Sequence, residues 1–291
     1  MSTIIKKCPA CGENLHKRLS TPKFYLYDCH NCQLLSARIK KKSTSNDYYE
    51  FFEIKKFEEY YKNFRKKTFK KNWKEILMFK KNGLALDIGA SVGWFLDVQP
   101  KGWIVKGIEK YISAVPAKYK KDIKPMDIFE LANTSATFDL VTLWNVVEHL
   151  NNPNKALKII HERLKKDGVL AMSFPNSSGL ISRISYFIYD SSFGFIRKQL
   201  NILFQIDSAS PHLFHFNANN MKLLLQNNSF EVLSIGYQPI IDPKNIDKRI
   251  QIEGKNNSAI AWLAKVVASL LLALSSMFNM HDEVVIYSRK I

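Results

Sequence analysis

Between residues 84 and 179 short, mostly apolar runs alternate with stretches in which apolar side chains recur every three or four positions. The runs at 84–88, 104–108, 140–143 and 169–174 are only four to six residues long, the length and character of strands buried in a parallel sheet. Between the last two, residues 154–165 set Ala156, Leu157, Ile160 and Leu164 on one helical face. Strand and helix in alternation predict a doubly wound α/β sheet, with Gly83 marking its start. After Gly179 the pattern loosens, then returns as a helix at 219–228, a strand at 230–237 and a final strand at 283–288. Before it, Phe24, Tyr25, Leu26 and Tyr27 form a short strand, and residues 46–81 read as one or two basic, aromatic helices. There is no internal repeat.

The N-terminal segment has a chemistry of its own. All four cysteines lie in it, as Cys8-Pro-Ala-Cys11 and Cys29-His-Asn-Cys32, with 17 residues between the pairs. Two such knuckles suit a tetrahedral Zn²⁺ held by four thiolates, the alternative being a redox pair. Four thiolates leave no open position, so the ion is expected to be structural. Gly12 gives the knuckle its tight turn. Without such a clip a segment this short buries too little to fold alone. The expected division is a zinc ribbon at 1–38, a basic helical linker at 39–82 and an α/β domain at 83–291.

Composition adds two constraints. A 46% apolar and 24% charged chain of 291 residues is globular rather than disordered or fibrous. The net charge of +17 is uneven: residues 1–83 hold 20 basic and 8 acidic side chains, most of the surplus. The densest part, Lys62 to Lys74, mixes cations with aromatics and would suit phosphates, anionic lipid headgroups or simply solvent. The start of the chain has no apolar h-region or cleavage site, and a reducing, cytoplasmic setting is expected.

The sharpest motif is Leu84-Ala-Leu-Asp-Ile-Gly-Ala-Ser-Val-Gly-Trp-Phe-Leu96, an apolar strand, a glycine-punctuated turn and an expected helix start. Glu109 follows Asp87 by 22 residues at the end of the next strand, the interval of an acid that takes ribose hydroxyls. The glycines do not follow the G-x-G-x-x-G spacing of a dehydrogenase. Here the chain resembles a class I S-adenosylmethionine (SAM)-dependent methyltransferase, similar to methyltransferase domain 23. Asp87-Ile-Gly-Ala-Ser-Val-Gly93 resembles the family's first motif, with Ser91 where a middle glycine is common. Phe138-Asp-Leu-Val-Thr-Leu-Trp-Asn-Val-Val-Glu-His-Leu150 resembles the fourth motif of the subgroup ending in Glu-His-Leu. The resemblance implies a Rossmann-like, seven-stranded, mostly parallel sheet with the last strand antiparallel, and an enzyme of class EC 2.1.1. It implies cofactor contacts at Asp87, Gly89, Ala90, Ser91, Gly93, Glu109, Asp127, Ile128, Trp144 and Asn145, with Asp127 and Ile128 on the adenine.

Methyl transfer from a sulfonium depends mainly on alignment, whereas a hydroxyl acceptor also needs a base. His149 stands where such a base belongs, with the satisfied end of a loop as its alternative, and Glu148 would orient it or contact the cofactor. His212 and His215 resemble a segment returning to the substrate mouth. No catalytic metal is indicated, and the metal ligands expected are Cys8, Cys11, Cys29 and Cys32.

Two apolar insertions, 180–206 and 258–280, are expected to overhang the cofactor pocket. Lys265, Ser269 and Ser276 share one face of the second, which argues against a membrane span and for a surface-lying helix, a lid or a dimer contact. The reading that results is a SAM-dependent methyltransferase acting on a hydroxyl of a small or amphiphilic metabolite, with an envelope glycan or lipid-linked sugar as the expected acceptor. An anionic membrane surface on the inner face is the expected partner. The alternatives are a zinc-ribbon ribosomal RNA methyltransferase and a non-catalytic adaptor of the same fold; the oligomeric state is left open.

Overall fold

The structure, a computed structural model, describes residues 6–40, 58–112, 115–192, 194–240, 242, 245–247, 258–278 and 280–291. Three antiparallel strands come first, β1 (His16–Ser20), β2 (Phe24–Asp28) and β3 (Leu35–Ile39). Helix α1 (Glu58–Phe79) follows, and residues 46–57 of the expected basic helices lie outside the described residues. The α/β region then runs through β4 (Gly83–Ile88), β5 (Trp103–Glu109), β6 (Ile123–Pro125), β7 (Phe138–Trp144), α2 (Pro153–Arg163) and β8 (Leu164–Pro175). It continues with α3 (Leu180–Ser191), α4 (Lys198–Leu203), β9 (Phe214–His215), α5 (Ala218–Gln226), β10 (Phe230–Gln238), α6 (Ser258–Met277) and β11 (Glu283–Lys290).

Seven strands form one sheet in the order β10-β11-β8-β7-β4-β5-β6, and only β11 runs against its neighbours. This is the doubly wound, mostly parallel sheet that the alternating pattern predicts. Two helix starts are specified by side-chain caps. Asn152 caps α2 by accepting from the Lys155 N–H (3.0 Å), with Pro153 in the first turn, and Asn217 and Asn220 form a reciprocal capping box on α5. One face of the sheet packs Ala156, Leu157 and Ile160 of α2 with Met221, Leu224 and Leu225 of α5.

The other face is covered by α1. Phe69, Trp73 and Ile76 are buried there against Phe95, Trp103 and Trp144, and Trp73 stacks on Phe95 with ring centroids 4.8 Å apart. The segment expected to act as a linker thus contributes a layer of the core. The helix expected after Gly93 does not form; a single 3₁₀ turn, Leu96–Val98, stands in its place. Pro100 and Gly102 follow at once, and β5 begins at Trp103, so there is no length for helical turns.

The cysteine segment is joined to the α/β region by backbone pairing. Strand β3 pairs with β9, Leu35 opposite His215 and Ser36 opposite Phe214. Three asparagine side chains donate to knuckle carbonyls: Asn154 to Pro9 (2.9 Å), Asn227 to Ala10 (2.7 Å) and Asn220 to Cys32 (3.3 Å). Phe24, Leu26, Leu35 and Ala37 share one small core with Leu200, Phe204 and Ile206 of the first insertion.

Candidate functional site

The loop after β4 is shaped by three residues in the left-handed region, Gly89 (φ 72°), Ser91 (φ 51°) and Gly93 (φ 79°). A Cβ at Gly93 would sit 2.6 Å from the Tyr119 ring, so glycine is required there by space as well. The loop closes over β5, Gly89 and Ala90 both donating to the Ile108 carbonyl (2.9 and 3.0 Å). In the sheet Asp87 lies opposite both Gly107 and Thr142, and Glu109 is two residues beyond Gly107, so Asp87 and Glu109 share one face. Glu109 accepts from the N–H groups of Ser91 (2.9 Å) and Tyr111 (2.8 Å). Asp87 accepts from the Thr142 hydroxyl (2.6 Å); burial above all, with the Glu109 charge beside it, pushes its carboxyl up to about 7.

The next strand end adds a third carboxylate. Met126 donates to the Glu109 carbonyl (3.3 Å), and Asp127 follows, accepting from the Phe129 N–H (3.1 Å) and pairing with Lys110 (3.1 Å). Ile128 is buried beside it. At the end of β7, Trp144 lies among Phe69 and Phe95 with a buried indole N–H that has no partner among the described residues. Asn145 takes φ 56°, a conformation asparagine tolerates, and donates to the Ser173 carbonyl (2.9 Å). The residues named for the cofactor thus line the carboxyl ends of β4, β5, β6 and β7, where open α/β sheets bind ligands.

Beyond β7 lies a second group. Glu148 and His149 sit on a 3₁₀ turn, and Leu213 donates to the Glu148 carbonyl (2.8 Å), which docks the segment carrying His212 and His215. The rings of His149 and His212 are 4.8 Å apart. His215 meets the Tyr186 hydroxyl at 2.8 Å. Burial pulls His149 and His215 down to about 4, and His212 well below its ordinary value, so all three are neutral imidazoles. Burial likewise raises Glu148 to about 8, with the Glu283 charge adding to it.

Among the described residues, both carboxyl oxygens of Glu148 and of Glu283 are buried without a hydrogen-bond partner, as are Ser173 Oγ and Gln238 Oε1. Arg65 of α1 approaches Glu283 at 3.7 Å. Glu283, Arg65 and Tyr186 were not foreseen from the sequence; the one available signal was a glutamate opening the apolar run Glu283-Val-Val-Ile. A separate cavity of about 510 Å³ is lined by Ile181, Ile240, Leu272, Ala273 and Asp282, and none of His149, His212, His215, Glu148 or Glu283 lines it.

A family model described as a methyltransferase domain matches residues 57–235, from before α1 into β10. The chain belongs to the methyltransferase-domain family. It is a class I SAM-dependent methyltransferase, and its fold agrees. A SAM-dependent methyltransferase from Archaeoglobus fulgidus is similar at 19% identity and TM-score 0.51, over 84% of this chain and 100% of that one. Another, from Thermotoga maritima, is similar at 14% identity and TM-score 0.51, over 84% and 98%. No curated protein matches. In this methyltransferase the shared face of Asp87 and Glu109, beside a glycine-shaped loop whose N–H groups hold it against β5 and Glu109, fits an adenosine-bearing cofactor.

The four thiols are also gathered: Cys8 and Cys32 sulfurs are 3.5 Å apart, Cys11 and Cys29 sulfurs 3.3 Å, and all four lie within 4.8 Å of one another. The contact with Cys32 pulls the Cys8 thiol down to about 5.

Proposed function

We propose that this methyltransferase methylates a hydroxyl of a small or amphiphilic acceptor, an envelope glycan or a lipid-linked sugar. SAM, when bound, supplies a methyl group already activated on its sulfonium. Glu109 would hold its ribose, Asp127 and Ile128 its adenine, and the loop from Gly89 to Gly93 its carboxyl-bearing end. The observation that carries the acceptor class is the cluster of Glu148, His149 and His212, with the His149 and His212 rings 4.8 Å apart and His215 on the same docked segment. Neutral imidazoles in a polar recess suit a hydroxyl that must give up its proton, with His149 as first acceptor. The separate, mostly apolar cavity between the insertions suits the rest of an amphiphile. A zinc ion held by Cys8, Cys11, Cys29 and Cys32 would clip the ribbon, the spacing of the thiols being compatible with four-coordinate thiolate ligation.

Partner surfaces follow from what is exposed. Trp262, Leu263, Val266, Val267 and Leu270 of α6 lie on the outside, as do Phe187 and Phe195, the last 85% exposed. No helix among the described residues is long and apolar enough to cross a membrane. An apolar helix face of this kind supports seating on a lipid surface from one side. The RNA alternative draws less support, because Arg65 and Lys66 of the basic helix turn inward to Glu283 (3.7 Å) and Asp97 (2.6 Å). Incubation with labelled cofactor and fractionated lipid, glycan and RNA extracts is the test. Label is expected in the lipid or glycan fraction; label confined to RNA would reverse the choice.

A further inference from the structure

We propose that Glu148, His149 and His212 form a second metal site, taking a first-row divalent transition ion. Potential ligand atoms of the three lie within 4.8 Å of one another. Glu148 is 1% exposed, and among the described residues neither of its oxygens has a hydrogen-bond partner, its own backbone N–H being the one donor that acts on the carboxyl. A carboxyl group buried in that state is costly unless a cation or donor completes it.

The two imidazoles are oriented for the task. Nδ1 of His212 lies 2.7 Å from the Leu203 carbonyl, and Nδ1 of His149 lies 3.1 Å from the Pro211 carbonyl. A carbonyl only accepts, so Nδ1 of His212 carries the proton and its lone pair resides on Nε2; His149 meets the Pro211 carbonyl through Nδ1 and has a second backbone contact at Ser210. Metal-bound histidines show this arrangement, with one nitrogen on the metal and the other donating to a backbone carbonyl. His215 stays outside the set, its Nδ1 engaged with the Tyr186 hydroxyl at 2.8 Å and its Nε2 3.4 Å from Ser182.

Two imidazoles and one carboxylate suit Zn²⁺, Fe²⁺, Co²⁺ or Mn²⁺, whereas the four cysteines form a softer, separate set. Three protein ligands leave at least one position open; with the ion bound, His149 is a ligand and no longer the proton acceptor, and the ion would supply the acidification of an acceptor hydroxyl in its place. That use of the ion rests on the methyltransferase reading; the site itself does not.

The test takes the full chain, dialysed against EDTA under conditions that metal analysis shows to leave thiolate-held metal in place. It is then titrated with Mn²⁺ while the free ion is followed by electron paramagnetic resonance. One saturable site is expected, weakened at least tenfold by Glu148→Gln and by His212→Gln, in variants whose thermal melts stay cooperative. Cys11→Ser, which alters only the thiol set, should leave Mn²⁺ binding intact. Absence of a saturable site in the unaltered chain overturns the proposal, as does binding that neither substitution weakens. Cofactor binding is measured in parallel by calorimetry. SAM bound without Mn²⁺ removes the metal site alone, and Mn²⁺ bound without SAM removes the methyltransferase reading alone.

Discussion

At the scale of single residues, the cofactor loop carries a strain that its sequence already marks. Ser91 holds φ 51° between two glycines that hold 72° and 79°. A side chain there costs roughly 1–2 kcal/mol, partly offset by the looser unfolded chain a glycine would bring. Ser91→Gly is therefore expected to stabilise the protein by about 0.5–1 kcal/mol, read as a higher midpoint in urea. Asp87 gives a second prediction. Its carboxyl titrates near 7 in the folded protein against an ordinary 3.8. Between those values the folded state keeps a proton that the unfolded chain has lost, so stability falls as pH rises from about 4 to about 7. Asp87→Asn should flatten that slope in denaturation curves taken across this window, and an unchanged slope would refute the assignment. Asp87, Glu109 and the glycines could be picked out by spacing alone, because each answers to one local demand. Glu283 could not, since its importance arises only when β11 inserts beside β8 and aims it at Glu148's neighbourhood.

At the scale of elements, strands were readable and some of their connections were not. The apolar runs found at 84–88, 140–143 and 169–174 fall within β4, β7 and β8, because strands buried on both faces cannot disguise their composition. The helix expected after Gly93 failed because a favourable start was followed by Pro100 and Gly102. Helix α1 was recognisable as a helix, but its charges hid the buried stripe of Phe69, Trp73 and Ile76. Trp73→Ala should cost about 3–5 kcal/mol through lost packing, enough to bring a marginal domain close to unfolding in a thermal melt. The two-residue strand β9 is shorter than any periodicity can reveal, yet it fixes where the ribbon sits. Asn227→Ala leaves the Ala10 carbonyl without its donor and should destabilise by about 1 kcal/mol, measurable in urea.

At the scale of the whole molecule, a surplus of positive charge accompanies an exposed apolar helix. Binding to anionic vesicles is expected to fall with added salt and to fall further when Trp262 and Leu270, 66% and 57% exposed, become aspartate. Flotation assays would show it; vesicle binding indifferent to both substitutions would move the contact elsewhere. A different consequence concerns synthesis. The ribbon leaves the ribosome early, while the strand that completes its sheet lies 180 positions later, Leu35 against His215. At about 5–20 residues per second the nascent chain holds an open β edge for roughly 10–40 s. Such an edge invites pairing with another chain. A ribosome-stalled fragment ending before β9 should therefore be far more prone to clump than the finished protein, which makes two residues 180 positions downstream the guardians of the cysteine-bearing sheet.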